Sequence, residues 1–152
     1  MNDNGISDTI VRTAKLRASR ERVWKAITTE SEFEQWFGIK VLEGEFKPGT
    51  RVKARSTHSG YEHIEFYITI EKMDAPHLFS WRWIPGASQP PNEPTTLVEF
   101  RLDETVEGTR VTITESGFDR LSLAYRAAAY KDNTGGWEYQ AKSLTNYVAQ
   151  NP

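Results

Sequence analysis

Glu115 is the side chain whose position most strongly suggests chemistry. Val111 and Ile113 set the apolar face of the last predicted strand, and continuing their alternation turns Glu115 inward as well. A carboxylate at a cavity wall needs hydrogen bonds, a charged partner or a wet mouth, because burying it unpartnered is costly. Arg82 is a candidate partner if its strand faces that way. We favour a salt bridge at the sheet rim and keep a ligand-reading or acid–base pair as the alternative.

The three histidines could bind a metal ion or act in catalysis, but their spacing argues against both. His58 and His63 lie five residues apart with no third ligand at a defined offset, and His77 stands apart. We expect solvent-exposed histidines, no metal and no cofactor. Nucleophilic catalysis has no visible candidate, because no Ser-His-Asp order with a nucleophile elbow is present and the chain has 0 cysteines.

Composition narrows the classes of partner. The formal net charge is -2, from 19 basic and 21 acidic residues, which gives no electrostatic reason to expect nucleic-acid binding. Residues 1–9 do not read as a signal peptide, and no apolar run approaches membrane-spanning length. We therefore predict a cytoplasmic protein with no nucleic-acid or membrane partner. A homodimer through an exposed sheet edge stays open.

The chain begins with a predicted strand over 9–16 and a predicted helix over 20–28. Phe33, Trp36 and Phe37 predict a second short helix ended by Gly38, with the aromatics in the core. From residue 40 the period becomes twofold and predicts six strands up to residue 114. These features predict an α+β domain over 9–149, with flexible termini at 1–8 and 150–152.

The last part of the chain predicts helical cover for the sheet. Asp119 is the expected cap of a helical stretch, which the segment 132–136 with its two glycines interrupts. A clearer helix follows from Trp137, with Ala141, Leu144 and Val148 on one stripe. Gly135-Gly136 is interpreted as a flexible entrance to this helix rather than an anion cradle.

The order of elements carries a resemblance to a known family. The chain resembles the START/SRPBCC helix-grip superfamily, which includes birch-pollen-allergen-like domains. Within that superfamily it is similar to the family of the C-terminal domain of the activator of the heat-shock protein 90 ATPase. The segments that carry the resemblance span most of the chain: residues 23–28, 36–38, 44–49, Pro76, Trp81, 108–109, 114–118 and 136–137. The resemblance implies a long C-terminal helix over the concave face of a curved antiparallel sheet, with a deep cavity between them.

We favour a binding module that holds a small apolar or amphipathic molecule in this cavity, without catalysis. Its expected wall combines apolar side chains with a few polar groups that orient the ligand. The predicted ligand-binding residues are Phe66, Ile68, Trp81, Phe100, Ile113, Glu115, Tyr125, Tyr130, Trp137 and Leu144.

Two other functions stay open. One is an enzyme of the polyketide cyclase or aromatase kind, which the superfamily also contains. It would use Glu115 with Arg82 or Tyr130 to form and stabilise an enolate. The other is a co-chaperone of a heat-shock ATPase. It ranks lowest because the sequence shows no obvious counterpart of the eukaryotic activator's N-terminal domain.

Overall fold

The computed structural model describes residues 8–86, 89–90 and 92–152, and within them a seven-stranded antiparallel sheet is covered by three helices. The predicted flexible terminus at 1–8 lies, apart from Asp8, outside the described residues. The elements in chain order are β1 Thr9–Leu16, α1 Arg20–Thr28, α2 Glu30–Phe37, β2 Ile39–Glu43, β3 Arg51–Ser56, β4 Glu65–Asp74, β5 Leu78–Trp83, β6 Thr96–Thr105, β7 Gly108–Ser116 and α3 Leu123–Gln150.

The strands run in the order β1-β7-β6-β5-β4-β3-β2. Strands β2 to β7 form a meander in which each strand neighbours the next, and β1 pairs with β7 at one edge. The predicted α+β helix-grip architecture is therefore confirmed, with one strand, two short helices, six strands and a long C-terminal helix.

One row of residues crosses the sheet and locates the core. Ile10 pairs with Glu115, Glu115 with Val98, Val98 with Trp81 and Trp81 with Ile70. Every member of this row is 3% exposed or less. Because side chains alternate between the two faces of a strand, the whole row points inward, and Glu115 points inward with it, as predicted.

The two short helices form as their capping residues predict. The Ser19 hydroxyl oxygen accepts from the Arg22 amide at 3.1 Å, and α2 ends on Gly38 with φ 83°. A Cβ at Gly38 would lie 2.2 Å from the His58 ring, so both the backbone and the close approach of His58 require glycine. Trp36 and Phe37 are only 2% and 7% exposed, which fits their interpretation as core residues.

The predicted interruption of the last helix is wrong. α3 runs without a break for 28 residues from Leu123 to Gln150, through Gly135 and Gly136. Each glycine costs about 1 kcal/mol relative to alanine in a helix interior, and packing on both sides of the pair outweighs that cost. Ala129 before the glycines and Trp137 after them are both buried.

The start of α3 also differs from the prediction. Ser122, not Asp119, occupies the N-cap, and its amide and hydroxyl donate to the Glu93 carboxylate at 3.0 and 2.6 Å. An acidic group near a helix N-terminus is favourable, because the first amides and the helix dipole carry positive partial charge. Asp119 lies in a preceding 3-10 turn, Phe118–Arg120.

No helix in the described part of the chain is long and apolar enough to cross a membrane.

A charged cluster joins all three helices at one end of the molecule. The Glu32 carboxylate accepts from Arg22 and from the Tyr147 hydroxyl, each at 2.8 Å, and Arg22 also donates to the Asn151 carbonyl. Asn151, in the predicted flexible terminus, is thus tied to α1. Burial raises the pKa of the Glu32 carboxyl, but the hydrogen bonds from Arg22 and Tyr147 outweigh burial and lower that pKa below its usual value.

Replacing Glu32 by Gln should destabilise the protein in a pH-dependent way. At pH 7 we expect Glu32→Gln to lower the free energy of unfolding by about 1–3 kcal/mol, because Arg22 loses its ionic partner. A carboxyl with a lowered folded pKa stabilises above its unfolded pKa and loses this contribution as the pH falls through the folded pKa. The difference between the two proteins in urea unfolding should therefore shrink below about pH 4. Glu138→Gln, which removes an exposed pair with Lys142, is the control and should change little. A constant difference at all pH values would contradict the prediction.

Candidate functional site

A cavity of about 670 Å³ opens at one end of the sheet, between the β3–β4 loop, the segment after β5 and the middle of α3. Its size falls within the range of small-molecule sites. Its apolar wall consists of Phe37, Ile39, Ile64, Phe66, Trp83, Ile84 and Trp137. Polar or amphipathic side chains complete the lining: Ser56, His58, Ser59, Tyr61, Gln89, Asp132, Asn133, Tyr139 and Gln140.

Four aromatic rings of this wall contact one another. Trp83 is the centre of the group, with ring centroids 5.8 Å from Trp137, 6.2 Å from Phe37 and 5.9 Å from Phe66. Phe37 and Trp137 are also in contact at 6.0 Å. Tilted and edge-to-face packing at these distances is favourable and leaves each ring little freedom to rotate. The wall is therefore already formed before any ligand binds.

Glu115 lies behind this wall, fully buried, with four hydrogen-bond donors around its carboxylate. Trp83 Nε1 and Thr96 Oγ1 donate to Oε2 at 2.8 and 2.5 Å. Asn133 Nδ2 and Trp137 Nε1 donate to Oε1 at 2.8 and 2.7 Å. A carboxylate offers about four lone-pair sites, so these four neutral donors saturate it.

The four donors come from three elements, β5, β6 and α3. Glu115 therefore connects the middle of α3 to the sheet, and this satisfies a buried charge without a cationic partner. Trp83, Asn133 and Trp137 all line the pocket as well. Glu115 acts on the pocket from behind, as a positioning residue that fixes the orientation of two indoles and one amide.

The expected pairing of Arg82 with Glu115 is wrong. Trp81, not Arg82, stands in the row that leads through Val98 to Glu115. Arg82 lies on the opposite face by strand alternation and forms an ion pair with Glu71 at 3.9 Å. The predicted salt bridge at the sheet rim is thereby replaced by a fully buried carboxylate with uncharged partners.

The structure brings only two of the ten predicted ligand-binding residues to the pocket, Phe66 and Trp137. Five others fill the space where we expected a deep cavity, because their side chains pack against one another. Trp81, for example, stacks on Phe100 with centroids 5.4 Å apart. The five are at most 2% exposed: Ile68, Trp81, Phe100, Ile113 and Leu144.

The predicted ligand-binding tyrosines are engaged elsewhere. The Tyr125 hydroxyl donates to the Pro85 carbonyl oxygen. The Tyr130 hydroxyl donates to the Thr9 carbonyl oxygen at 3.3 Å, and its ring packs edge-on against Phe118. Both hold α3 to the rest of the fold, and neither lines the pocket.

Most of the pocket lining was missed by the sequence reasoning, and His58 and Gln140 are two examples. His58, expected in solvent, is half-buried, with Nε2 3.3 Å from the Phe37 carbonyl oxygen and its ring edge-on to Tyr139. Gln140 is 9% exposed and donates to the same carbonyl at 2.8 Å. Gln140 lies three residues after Trp137, on the same face of the helix, and this spacing could have identified it from the sequence. Among the described residues, no group of three or more His, Asp or Glu side chains is placed to hold a metal ion.

Comparisons with known proteins identify relatives of the whole fold. A family model described as activator of Hsp90 ATPase homolog 1-like protein matches residues 17–149. Protein MLL2253 from Mesorhizobium loti has a similar structure, with 21% identity and a TM-score of 0.75 over 95% of this chain and 98% of that one. Protein Ms6760 from Mycobacterium smegmatis is similar at 20% identity and a TM-score of 0.75, over 93% and 90%.

A third similar structure is DynU16, described as a protein in the dynemicin biosynthetic locus. It shares 19% identity with a TM-score of 0.73, over 96% of this chain and 49% of that one. At these identities the likeness shows a common fold. No curated protein sequence matches the chain.

Removing the charge of Glu115 should destabilise the fold strongly. In Glu115→Gln an amide nitrogen replaces one oxygen and faces two donors that then lack an acceptor. We expect a loss of about 2–4 kcal/mol in the free energy of unfolding. Urea titration followed by tryptophan emission measures this loss and should also show an altered native spectrum, because one of the two indoles, Trp83 or Trp137, loses its acceptor. Glu71→Gln removes an exposed carboxylate and should have little effect. Equal losses in the two variants would contradict the assigned role.

Proposed function

We propose that this chain, which belongs to the activator of Hsp90 ATPase homolog 1-like family, binds a small apolar or amphipathic molecule in the pocket beside Trp83 and Trp137. The observation that carries the proposal is the aromatic wall, which is held in place from behind by Glu115. Natural small-molecule sites combine such an apolar wall with a few fixed polar groups.

The rigidity of the wall favours binding on energetic grounds. A ligand gains from burying its apolar surface against aromatic rings, but ordering mobile side chains would consume part of that gain. The mutual contacts of Phe37, Phe66, Trp83 and Trp137 mean that this ordering has already occurred on folding. The structurally similar DynU16 is a protein of a biosynthetic locus, which supports a small-molecule ligand.

The residues predicted for the cyclase-like alternative are not available for catalysis at the pocket. Glu115 has its acceptor sites filled, Arg82 lies on the other face of the sheet, and Tyr130 is bonded to the backbone. An enzymatic version of the proposal would have to use side chains at the pocket itself, of which His58, Asp132, Tyr61 and Tyr139 carry ionisable groups. Turnover of a bound ligand that survives substitution of each of the four would exclude this version.

The co-chaperone hypothesis rests on the description of the family and has no support in the pocket. A pull-down of the heat-shock ATPase by the intact protein tests it directly.

Filling the pocket from the helix should abolish binding without harming the fold. Gly136 lines the pocket, and an added Cβ there meets no atom within 4 Å; Gly135 is equally open but is not a lining residue. Both Gly→Leu changes replace a poor helix former and should stabilise α3 by about 0.5–1 kcal/mol. We expect Gly136→Leu to weaken binding of N-phenyl-1-naphthylamine, a neutral fluorescent dye, by at least roughly tenfold. Gly135→Leu should bind as the parent does.

This pair of variants separates a pocket effect from an effect on helix stability. Thermal unfolding of both should confirm that neither has lost its fold. Equal dye affinity in the two variants would place the dye elsewhere and would overturn the proposed site.

A further inference from the structure

We infer that the pocket selects amphipathic amines over carboxylates of the same shape, an inference that rests on the proposed binding function. The hydrogen bonds that the wall already makes within the protein, and the charge of its lining, both favour an amine. The selectivity therefore concerns the chemistry of the ligand's polar end, which the apolar wall alone does not define.

The nitrogen-bound hydrogens of Trp83, Trp137 and Gln89 are committed to protein acceptors, whereas Asn133 and Gln140 each donate one of their two. The indoles of Trp83 and Trp137 both donate to Glu115, behind the wall, so these rings offer the pocket no N–H group. Gln89 Nε2 donates twice, to the carbonyl oxygens of Ile84 and Gly86, each at 2.8 Å. An indole has one N–H and an amide has two, so the N–H donors of these three side chains are fully used.

Acceptor atoms are left over by the same contacts. Asn133 Nδ2 meets the Glu115 carboxylate and Gln140 Nε2 meets the Phe37 carbonyl, which fixes the orientation of both amides. Exchanging oxygen and nitrogen would place an acceptor against an acceptor. In the described part of the chain, Gln140 Oε1 is buried without a hydrogen-bond donor. A buried acceptor without a donor costs free energy, and a ligand donor that reached this oxygen would recover part of that cost.

His58 also has an unused acceptor atom. Its Nε2 lies 3.3 Å from the Phe37 carbonyl oxygen, which can only accept, so Nε2 carries the hydrogen. The neutral ring then has Nδ1 as an acceptor.

The charge of the lining also favours an amine over a carboxylate. Among the described lining residues, Asp132 carries the one formal charge when His58 is neutral, and no lysine or arginine is present. Asp132 forms no ion pair with another described residue. Aromatic faces attract cations, whereas a ligand carboxylate would lose its hydration without meeting a cationic partner. An amine or ammonium group on an apolar body therefore fits both the charge and the acceptors.

Three naphthalene probes of matched shape test the inference by isothermal titration calorimetry. They are 2-(1-naphthyl)ethylamine, 2-(1-naphthyl)ethanol and 1-naphthylacetate, titrated at pH 8, where an imidazole is ordinarily neutral. We expect the amine to bind roughly tenfold more tightly than the carboxylate, with the alcohol between them. Asp132→Asn should weaken amine binding about threefold to fivefold and leave the alcohol unchanged. Glu138→Gln, an exposed change on the same helix outside the lining, is the matched control.

The outcomes separate this inference from the proposed function. If the alcohol binds and Gly136→Leu abolishes that binding, while the carboxylate binds as tightly as the amine, only the selectivity is overturned. If the amine-to-carboxylate ratio is unchanged in Asp132→Asn, the contribution of Asp132 to the selectivity is overturned. If none of the three probes binds, the proposed function is overturned as well.

Discussion

The buried charge of Glu115 is the constraint on which the arrangement of helix and sheet depends. A carboxylate with no exposed surface must be fully hydrogen-bonded, and its four donors come from β5, β6 and α3. Moving α3 along or around its axis would break at least two of these bonds. The position of the helix, the orientation of two tryptophans and the shape of the pocket wall are therefore linked through one side chain.

The space between α3 and the sheet is filled in its middle and open at one end because of where the large side chains lie. Trp81 and Phe100 occupy the centre and pack against Phe37 and Trp137, so a cavity there would require smaller residues. The opening remains where Gly38 and Gly136 meet the pocket. The His58 ring occupies the space that a side chain at Gly38 would need. A side chain at Gly136 would meet no atom within 4 Å, so the space beside this glycine is open. The same fold can thus hold a core or a cavity according to side-chain volume.

The sequence predicted features that depend on local periodicity and missed those that depend on distant contacts. A twofold alternation was enough to turn Glu115 inward, because each strand residue has only two faces to choose between. It did not identify the donors, because Trp83 and Trp137 meet only when α3 folds over the sheet. The glycine pair predicted a break in α3, since local propensity does not include the packing that carries the helix through it. The central cavity was also overestimated, because pattern alone does not show how fully large side chains fill a space.

Glu32 and Glu115 use different partners, and the depth of burial explains the choice. Glu32, with 13% of its side chain exposed, pairs with Arg22 near the surface, where water still hydrates both charges. Glu115 has no contact with water, and placing an arginine beside it would require desolvating a second charge. Indole, amide and hydroxyl donors satisfy the carboxylate at a smaller desolvation cost. Because the indole and amide donors belong to the pocket wall, satisfying the charge turns the hydrogens that they donate away from the pocket, and the stability of the fold and the polarity of the site have one cause.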